Sequence, residues 1–299
     1  MSRHFSPYPR FIPLIGLVLI LFGLPAGAVA DAPAVTYSFT ILDVPGATST
    51  YASSINNSGQ VTGYYGDKSG GFHGFVYSNG TFMTIDVPGA TSTYPASINA
   101  SGQVAGYYFD GTGRHGFVYS NGAFTTLDAP GATNGFYDGI DHGTVPANIN
   151  ASGQVVGYYF DGAGSHGFVY SGGTFTHLNV PGARATFATR INDNGQVIGS
   201  YCNSTYRYGG FTDCYSFVYS GDTFTTLTVP DAAFTNARSI NASGQVTGTY
   251  GDSSGGHGFI ATPAGTPMDI PTRSEWTLLL LLNLLLGLSG WWLRQRKLF

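Results

Sequence analysis

The stretch SINASGQVAGYYFDGTGRHGFVYSNGAFTTLDAPGA, residues 97–132, recurs along the chain. It stands as SINNSGQVTGYYGDKSGGFHGFVYSNGTFMTIDVPGA over residues 54–90 and as NINASGQVVGYYFDGAGSHGFVYSGGTFTHLNVPGA over 148–183. Weaker copies begin at Arg190 and Ser239. The turn glycines Gly59, Gly102, Gly153, Gly195 and Gly244 are spaced by 43, 51, 42 and 49 residues. Such a period is too long for a rung of a β-solenoid and suits a four-stranded blade of about 40–50 residues.

The copy at 97–132 reads as four strands. Ser97–Asn99 is a short first strand, and Asn99-Ala100-Ser101-Gly102 is turn chemistry with Gly102 supplying a positive φ. Gln103–Tyr108, rich in Val and Tyr, is the second strand. After a Gly/Asp loop, Gly116–Ser120 is the third, and Asn121-Gly122 is a two-residue hairpin signal. Ala123–Ala129 is the fourth, with Thr125, Leu127 and Ala129 on one face. Pro130-Gly131 ends it and starts the crossing to the next copy.

The ends of the repeat array add a second clue. Phe39–Val44 copies the fourth strand ahead of any full repeat, and the last repeat, Ser239–Ala261, lacks that strand. Joining the two would close a ring and remove exposed sheet edges. The expectation is an all-β, five-unit repeat over residues 31–265, a closed five-bladed β-propeller with four-stranded blades. An open array is the alternative.

Composition limits the function classes. The 299 residues include 44 Gly, 20 Tyr and 21 Phe but only 9% charged residues, which fits tight turns and aromatic packing and not disorder. Between Asp31 and Asp269 six basic residues face fifteen Asp, a formal charge of −9. Without a basic stripe, nucleic acid is excluded as a partner. No metal or cofactor motif is present: there is no Walker loop or His-Glu-x-x-His helix.

The N-terminal segment, residues 1–30, has the form of a secretory signal: Arg3 and Arg10, an apolar run Phe11–Leu24, and Ala28-Val29-Ala30 as the cleavage site. An uncleaved anchor helix is the other reading. Cys202 and Cys214 flank one loop of the fourth repeat, and in an exported chain a disulfide is expected between them. Residues 276–293 run 18 residues without charge, about 27 Å as a helix, enough for a C-terminal transmembrane helix in the inner membrane. Arg294, Arg296 and Lys297 in the tail 294–299 then suit the cytoplasmic side.

Residues 266–275 carry the linker and most of a short motif, Ile270-Pro271-Thr272-Arg273-Ser274-Glu275-Trp276. With the helix and basic end it resembles the IPTL-CTERM sorting signal of Gram-negative bacteria, a relative of PEP-CTERM; Arg273 stands where that pattern has Leu. The resemblance implies an exosortase-type membrane protease as partner. It also implies a protein held at the envelope or released to the surface or matrix; a permanent single-pass anchor is the alternative. The recurring HGFVYS strand resembles the HAF repeats of bacterial exported proteins over nearly all of residues 39–261, which implies a β-rich extracellular domain and no defined activity.

Three sets of residues are candidates for chemistry. His73, His115, His166 and His257 each follow an Asp (Asp67, Asp110, Asp161, Asp252) by five or six residues. Such pairs could bind a metal or a sugar hydroxyl, but their repetition, and Tyr215 in the place of His, favour a structural role. Asp43, Asp86 and Asp128 of the fourth strand, replaced elsewhere by Asn179 and Thr228, read as cross-strand or turn hydrogen bonding. Asn134–Gly143 breaks the symmetry of the third repeat and gathers Phe136, Tyr137, Asp138, Asp141 and His142. These residues suit sugar binding; two carboxylates would also suit glycoside hydrolysis, and a tolerated surface insertion is the plainest reading. The expectation is a non-enzymatic exported surface or matrix protein with a polysaccharide ligand. A glycan-cleaving enzyme and a purely structural matrix component are the rivals.

Overall fold

The computed structural model describes residues 38–137, 140–205 and 211–264. The expected signal peptide (1–30), the linker and sorting motif (266–276), the membrane helix (276–293) and the basic tail (294–299) lie outside them. The chain divides into residues 1–41 and 42–299. Of the first part, the described residues 38–41 form no strand.

The second part is all-β. Its first repeat is an antiparallel meander of β1 (Ser49–Ile55), β2 (Val61–Gly66), β3 (Phe72–Ser78) and β4 (Thr81–Thr84). The second is β5 (Ser92–Ile98), β6 (Val104–Phe109), β7 (Arg114–Ser120) and β8 (Ala123–Leu127). A separate hairpin, β9 (Gly135–Tyr137) and β10 (Ile140–His142), precedes the third repeat. That repeat is β11 (Thr144–Ile149), β12 (Val155–Phe160), β13 (Ser165–Ser171) and β14 (Thr174–Leu178). The fourth is β15 (Ala185–Ile191), β16 (Val197–Thr205), β17 (Phe211–Ser220) and β18 (Thr223–Leu227). The last has three strands, β19 (Phe234–Ile240), β20 (Val246–Asp252) and β21 (Gly255–Ala261). Single parallel pairs, Phe72 with Ser92 and Ser165 with Ala185, link successive meanders. Among the described residues no helix is long and apolar enough to cross a membrane.

Two sequence expectations change. The first strand of each repeat is longer than expected and starts earlier, at Ser92 instead of Ser97 in the second. All five first strands carry a bulge at the same place, as between Pro95 and Ser97. A bulge breaks the period of two, and that hid the strand. The closing strand expected over Phe39–Val44 is not formed: residues 38–44 make no strand, and Phe39 and Ile41 are 88% and 76% exposed. Among the described residues β21 pairs with β20 alone, so the sheets do not close. A strand exists only by hydrogen bonding to a neighbouring edge, and residues 38–44 have none here.

Within each repeat the core follows from Gly and Phe at fixed offsets. Phe75, Phe117, Phe168 and Phe217 of the third strands are fully buried. Each needs a glycine beneath it on the second strand; a Cβ on Gly106 would sit 2.9 Å from the Phe117 ring and collide with the Tyr94 carbonyl. Each also meets the fourth-strand Phe edge-on, at 5.3 to 5.5 Å between ring centres (Phe82, Phe124, Phe175, Phe224). Between repeats the core is a set of four clusters. Val76, Ile85 and Val87 pack on Ile98 and Val104 of the next repeat, and the same arrangement recurs at the following junctions.

The turn Asn joins one repeat to the next. Asn99 Oδ1 accepts from the Ser101 and Gln103 amides, and its Nδ2 donates to Gln103 Oε1 and to the Asn150 carbonyl 3.0 Å away. All four hydrogen-bonding positions of a 4% exposed amide are thereby filled. Asn56 donates in the same way to Asn99, Asn150 to Asn192, and Asn192 to Asn241, at 2.8 to 3.1 Å.

Candidate functional site

The recurrent histidines are the first candidates. His73 Nδ1 lies 2.7 Å from Asp86 of the segment after β4, and its Nε2 lies 3.2 Å from Asp67 of the β2–β3 loop. His115 repeats this with Asp128 at 2.8 Å and Asp110 at 3.4 Å, and His166 with Asn179 and Asp161, both at 3.1 Å. Each Asp also ties its own loop: Asp67 accepts from the Ser69 and Gly71 amides, Asp110 from the Thr112 and Gly113 amides. Each His stacks on the Tyr paired across the strand, as Tyr65 on His73 and Tyr108 on His115, both at 5.2 Å. In the fourth repeat Tyr215 takes the place of His: it stacks on Tyr201 at 5.5 Å and donates to Asp213 at 2.7 Å. The Asp86 hydrogen bond, with Asp67 behind it, raises the His73 pKa against the effect of burial. The Ser69 hydroxyl and then His73 hold Asp67 down at about 2. These groups are loop clamps, and among the described residues no cluster suited to a metal is present.

The second candidate is an aromatic belt on the first and second strands. Tyr51 stacks on Tyr64 at 5.0 Å, Tyr64 meets Tyr94 at 5.1 Å, and Tyr94 stacks on Tyr107 at 5.1 Å. Phe72 and Phe109 pack edge-on or tilted against the same tyrosines. Arg114 then bridges repeats, its guanidinium carbon 5.7 Å from both the Tyr107 and the Phe160 ring centres. Phe160 and Phe187 both pack on Tyr158. Burial is the main cause that pushes the Tyr107 pKa up to about 12; Arg114 acts against it, and Tyr94, Tyr158 and Tyr64 add to it. The Tyr158 pKa is raised too, again by burial and against Arg114. The belt thins along the chain: Val145 and Ser200 each replace one of the two aromatic residues in the third and fourth repeats, and Asn236 and Thr249 replace both in the last.

The insertion meets the edge of this belt. It forms the β9–β10 hairpin, with Phe136 paired to Asp141 and Gly135 to His142. His142 stacks on Phe160 at 5.1 Å and lies 3.3 Å from the Thr133 hydroxyl. Gly143 at its base bridges to Arg114. Asp138 lies outside the described residues. The sequence pointed to this hairpin but missed the belt, because its tyrosines alternate with packing residues inside the repeat.

Cys202 and Cys214 are bonded across the β16–β17 ladder, with Cα atoms 4.1 Å apart.

A scan of protein families finds no match, and a search of curated proteins finds none. Among solved structures the chain is similar to a fucose-specific lectin from Aleuria aurantia (15% identity over 74% of this chain and 79% of that one, TM-score 0.39). It is also similar to the SapL1 lectin in complex with alpha methyl fucoside (13%, 71% and 81%, TM-score 0.39). A third is the β-propeller domain of the Trilobed protease from Pyrococcus furiosus, which has an open velcro topology (10%, 72% and 82%, TM-score 0.36).

Proposed function

We propose that this chain is a non-enzymatic, exported saccharide-binding protein of the bacterial surface or matrix, its five repeats arranged as the blades of a β-propeller. The observation that carries the binding reading is the belt of Tyr64, Tyr94, Tyr107 and Tyr158 around Arg114, reaching across three repeats. Rings present apolar faces to the C–H face of a sugar, and phenols and guanidinium supply hydrogen bonds to its hydroxyls. Tyr51 is 48% exposed and the four belt tyrosines are half-buried, so their edges reach solvent. A weakly charged surface fits a neutral polysaccharide.

Export and sorting rest on the sequence of residues 1–30 and 270–297. The exosortase-type partner and the release or anchoring of the chain belong to that part of the reading. Mass analysis of the envelope-extracted protein checks it: an N-terminus at Asp31 and a cut near Ile270–Trp276 are expected.

Calorimetric titration of the full-length chain with a panel of soluble polysaccharides tests the binding. Saturable binding is expected, weakened at least tenfold by Tyr94→Ala and Tyr107→Ala and little changed by Asp141→Asn. Glycan breakdown abolished by Asp141→Asn would instead establish the hydrolase.

A further inference from the structure

We infer that copies of this chain join head to tail, the Thr247 and Ile260 face of the last repeat of one copy docking on the Ile55 and Asn56 end of the first repeat of a second copy. The inference is independent of the saccharide reading and of any ligand.

Each junction inside the chain has two unlike halves. One repeat offers a face of its second and third strands, where Thr62, Ala105, Val156 and Ile198 are fully buried and Val76 is 6% exposed. The next repeat offers the end of its first strand, where Ile98, Ile149 and Ile191 are 5%, 4% and 7% exposed. At the two ends of the array one half of each kind is left over. Thr247 and Ile260 hold the positions of Thr62 and Val76 in the last repeat. There Thr247 is exposed and Ile260 is 67% exposed. Ile55 holds the position of Ile98 in the first repeat and is 68% exposed. Terminal repeats of a stable array ordinarily turn a polar face outward, and these two turn apolar ones.

The polar contacts divide in the same way. Four turn asparagines donate from Nδ2 to the Asn carbonyl of the following repeat. Among the described residues Asn241 Nδ2 donates only to Gln245 Oε1, and the Asn56 carbonyl accepts only from the Gly59 amide. Ser54 Oγ accepts from the Ile98 amide and Ser97 Oγ from the Ile149 amide, both at 3.4 Å. Ser239 holds that serine position in the last repeat, and Ile55 the isoleucine position in the first. Docking in the register of the internal junctions therefore places Ile260 on Ile55, Asn241 Nδ2 on the Asn56 carbonyl and Ser239 Oγ on the Ile55 amide.

The occupant is a second copy because each end is the complement of the other and the folded chain keeps them apart. Among the described residues β1 pairs with β2 alone and β21 with β20 alone, and both isoleucines stay open to solvent. Two unlike faces on one chain make a heterologous contact, which leaves every added copy with a free end for the next.

The test uses the full-length chain in detergent. Ile55→Cys and Ile260→Cys are made as separate single variants, mixed, oxidised and mapped by mass spectrometry, beside sedimentation of the unaltered chain over a range of concentrations. Concentration-dependent association is expected, with a 55–260 disulfide in the mixture. Ile55→Asp and Ile260→Asp, each at a position already exposed in the single chain, should each weaken association about tenfold or more, because docking would bury the carboxylate. Disulfides joining 55 to 55 or 260 to 260 in preference to 55 to 260 would mean a symmetric contact and overturn the inference. So would a mixture that stays unlinked while an Ile55→Cys, Ile260→Cys double variant links within a monomer, since the two ends would then meet in one chain. Association unchanged by both aspartates would place the contact elsewhere, and a chain monomeric at every concentration would remove it. Should a cysteine variant fail to fold, Asn241→Ala, expected to weaken association in the same assay, decides the matter.

Discussion

His73 holds two carboxylates at once, and that gives the first repeat an optimum in pH. Its pKa is raised in the folded chain, so its contribution is complete below the ordinary histidine value of about 6.5 and is lost as pH rises through the folded value. Asp67 has the opposite sign: held at about 2, it stabilises above the ordinary carboxylate range and loses that effect as pH falls toward its folded value. The melting temperature should therefore peak in mildly acid buffer, and His73→Gln should flatten the alkaline limb. Both side chains are about a third exposed, so the shift will be a few degrees at most. Scanning calorimetry across pH reads it, and a profile unchanged by His73→Gln would dismiss the clamp. The Asp and His of this clamp were legible as a recurring pair. The second carboxylate, Asp86, was legible as a cross-strand or turn hydrogen-bonding residue, but its partner was not, because 13 residues separate it from the His it meets. Asn99 was legible as a turn former for the same local reason. Its bond to Asn150, 51 residues away, was not, since nothing local encodes it.

The strand pairs follow a rule of offsets. Asn121-Gly122 in the hairpin takes positive φ at both positions (50° and 84°), the geometry that matches strand twist, and this turn was plain in the sequence. The paired glycine and phenylalanine of the second and third strands depend on close approach. Gly106→Ala should cost about 1–3 kcal/mol, because a methyl there displaces either the Phe117 ring or the β5 backbone. Urea unfolding measures it; a loss below a few tenths of a kcal/mol would mean that the ring shifts freely. The first strands were read too short because a bulge sits in each, and a bulge moves the following side chains to the other face. The belt tyrosines escaped for a related reason. On a strand half-buried on both faces, a ring that packs and a ring that could receive a ligand have the same pattern, and only three-dimensional neighbours such as Arg114 separate them.

Among the described residues the Asn contacts all run one way, each repeat donating to its successor, so the order of the repeats is set by direction as well as by sequence. Stability in such an array is close to a sum over repeats and junctions. The repetition was legible, because self-similarity survives where individual residues drift. The ring closure read from Phe39–Val44 is not formed among the described residues; it depends on residues at opposite ends of the array. The Cys202–Cys214 bond has a mechanical meaning for this array. When a chain is pulled from its ends, each repeat of 42 to 51 residues should give way separately, releasing roughly 15 nm of contour. The disulfide withholds the 12-residue span between its cysteines, so the fourth repeat should yield a step shorter by about 4 nm. Force spectroscopy with and without a thiol reductant should recover that length in one step of the sawtooth and leave the others unchanged. The chain thus carries, in a single covalent bond, a limit on how far one of its repeats can be drawn out under tension.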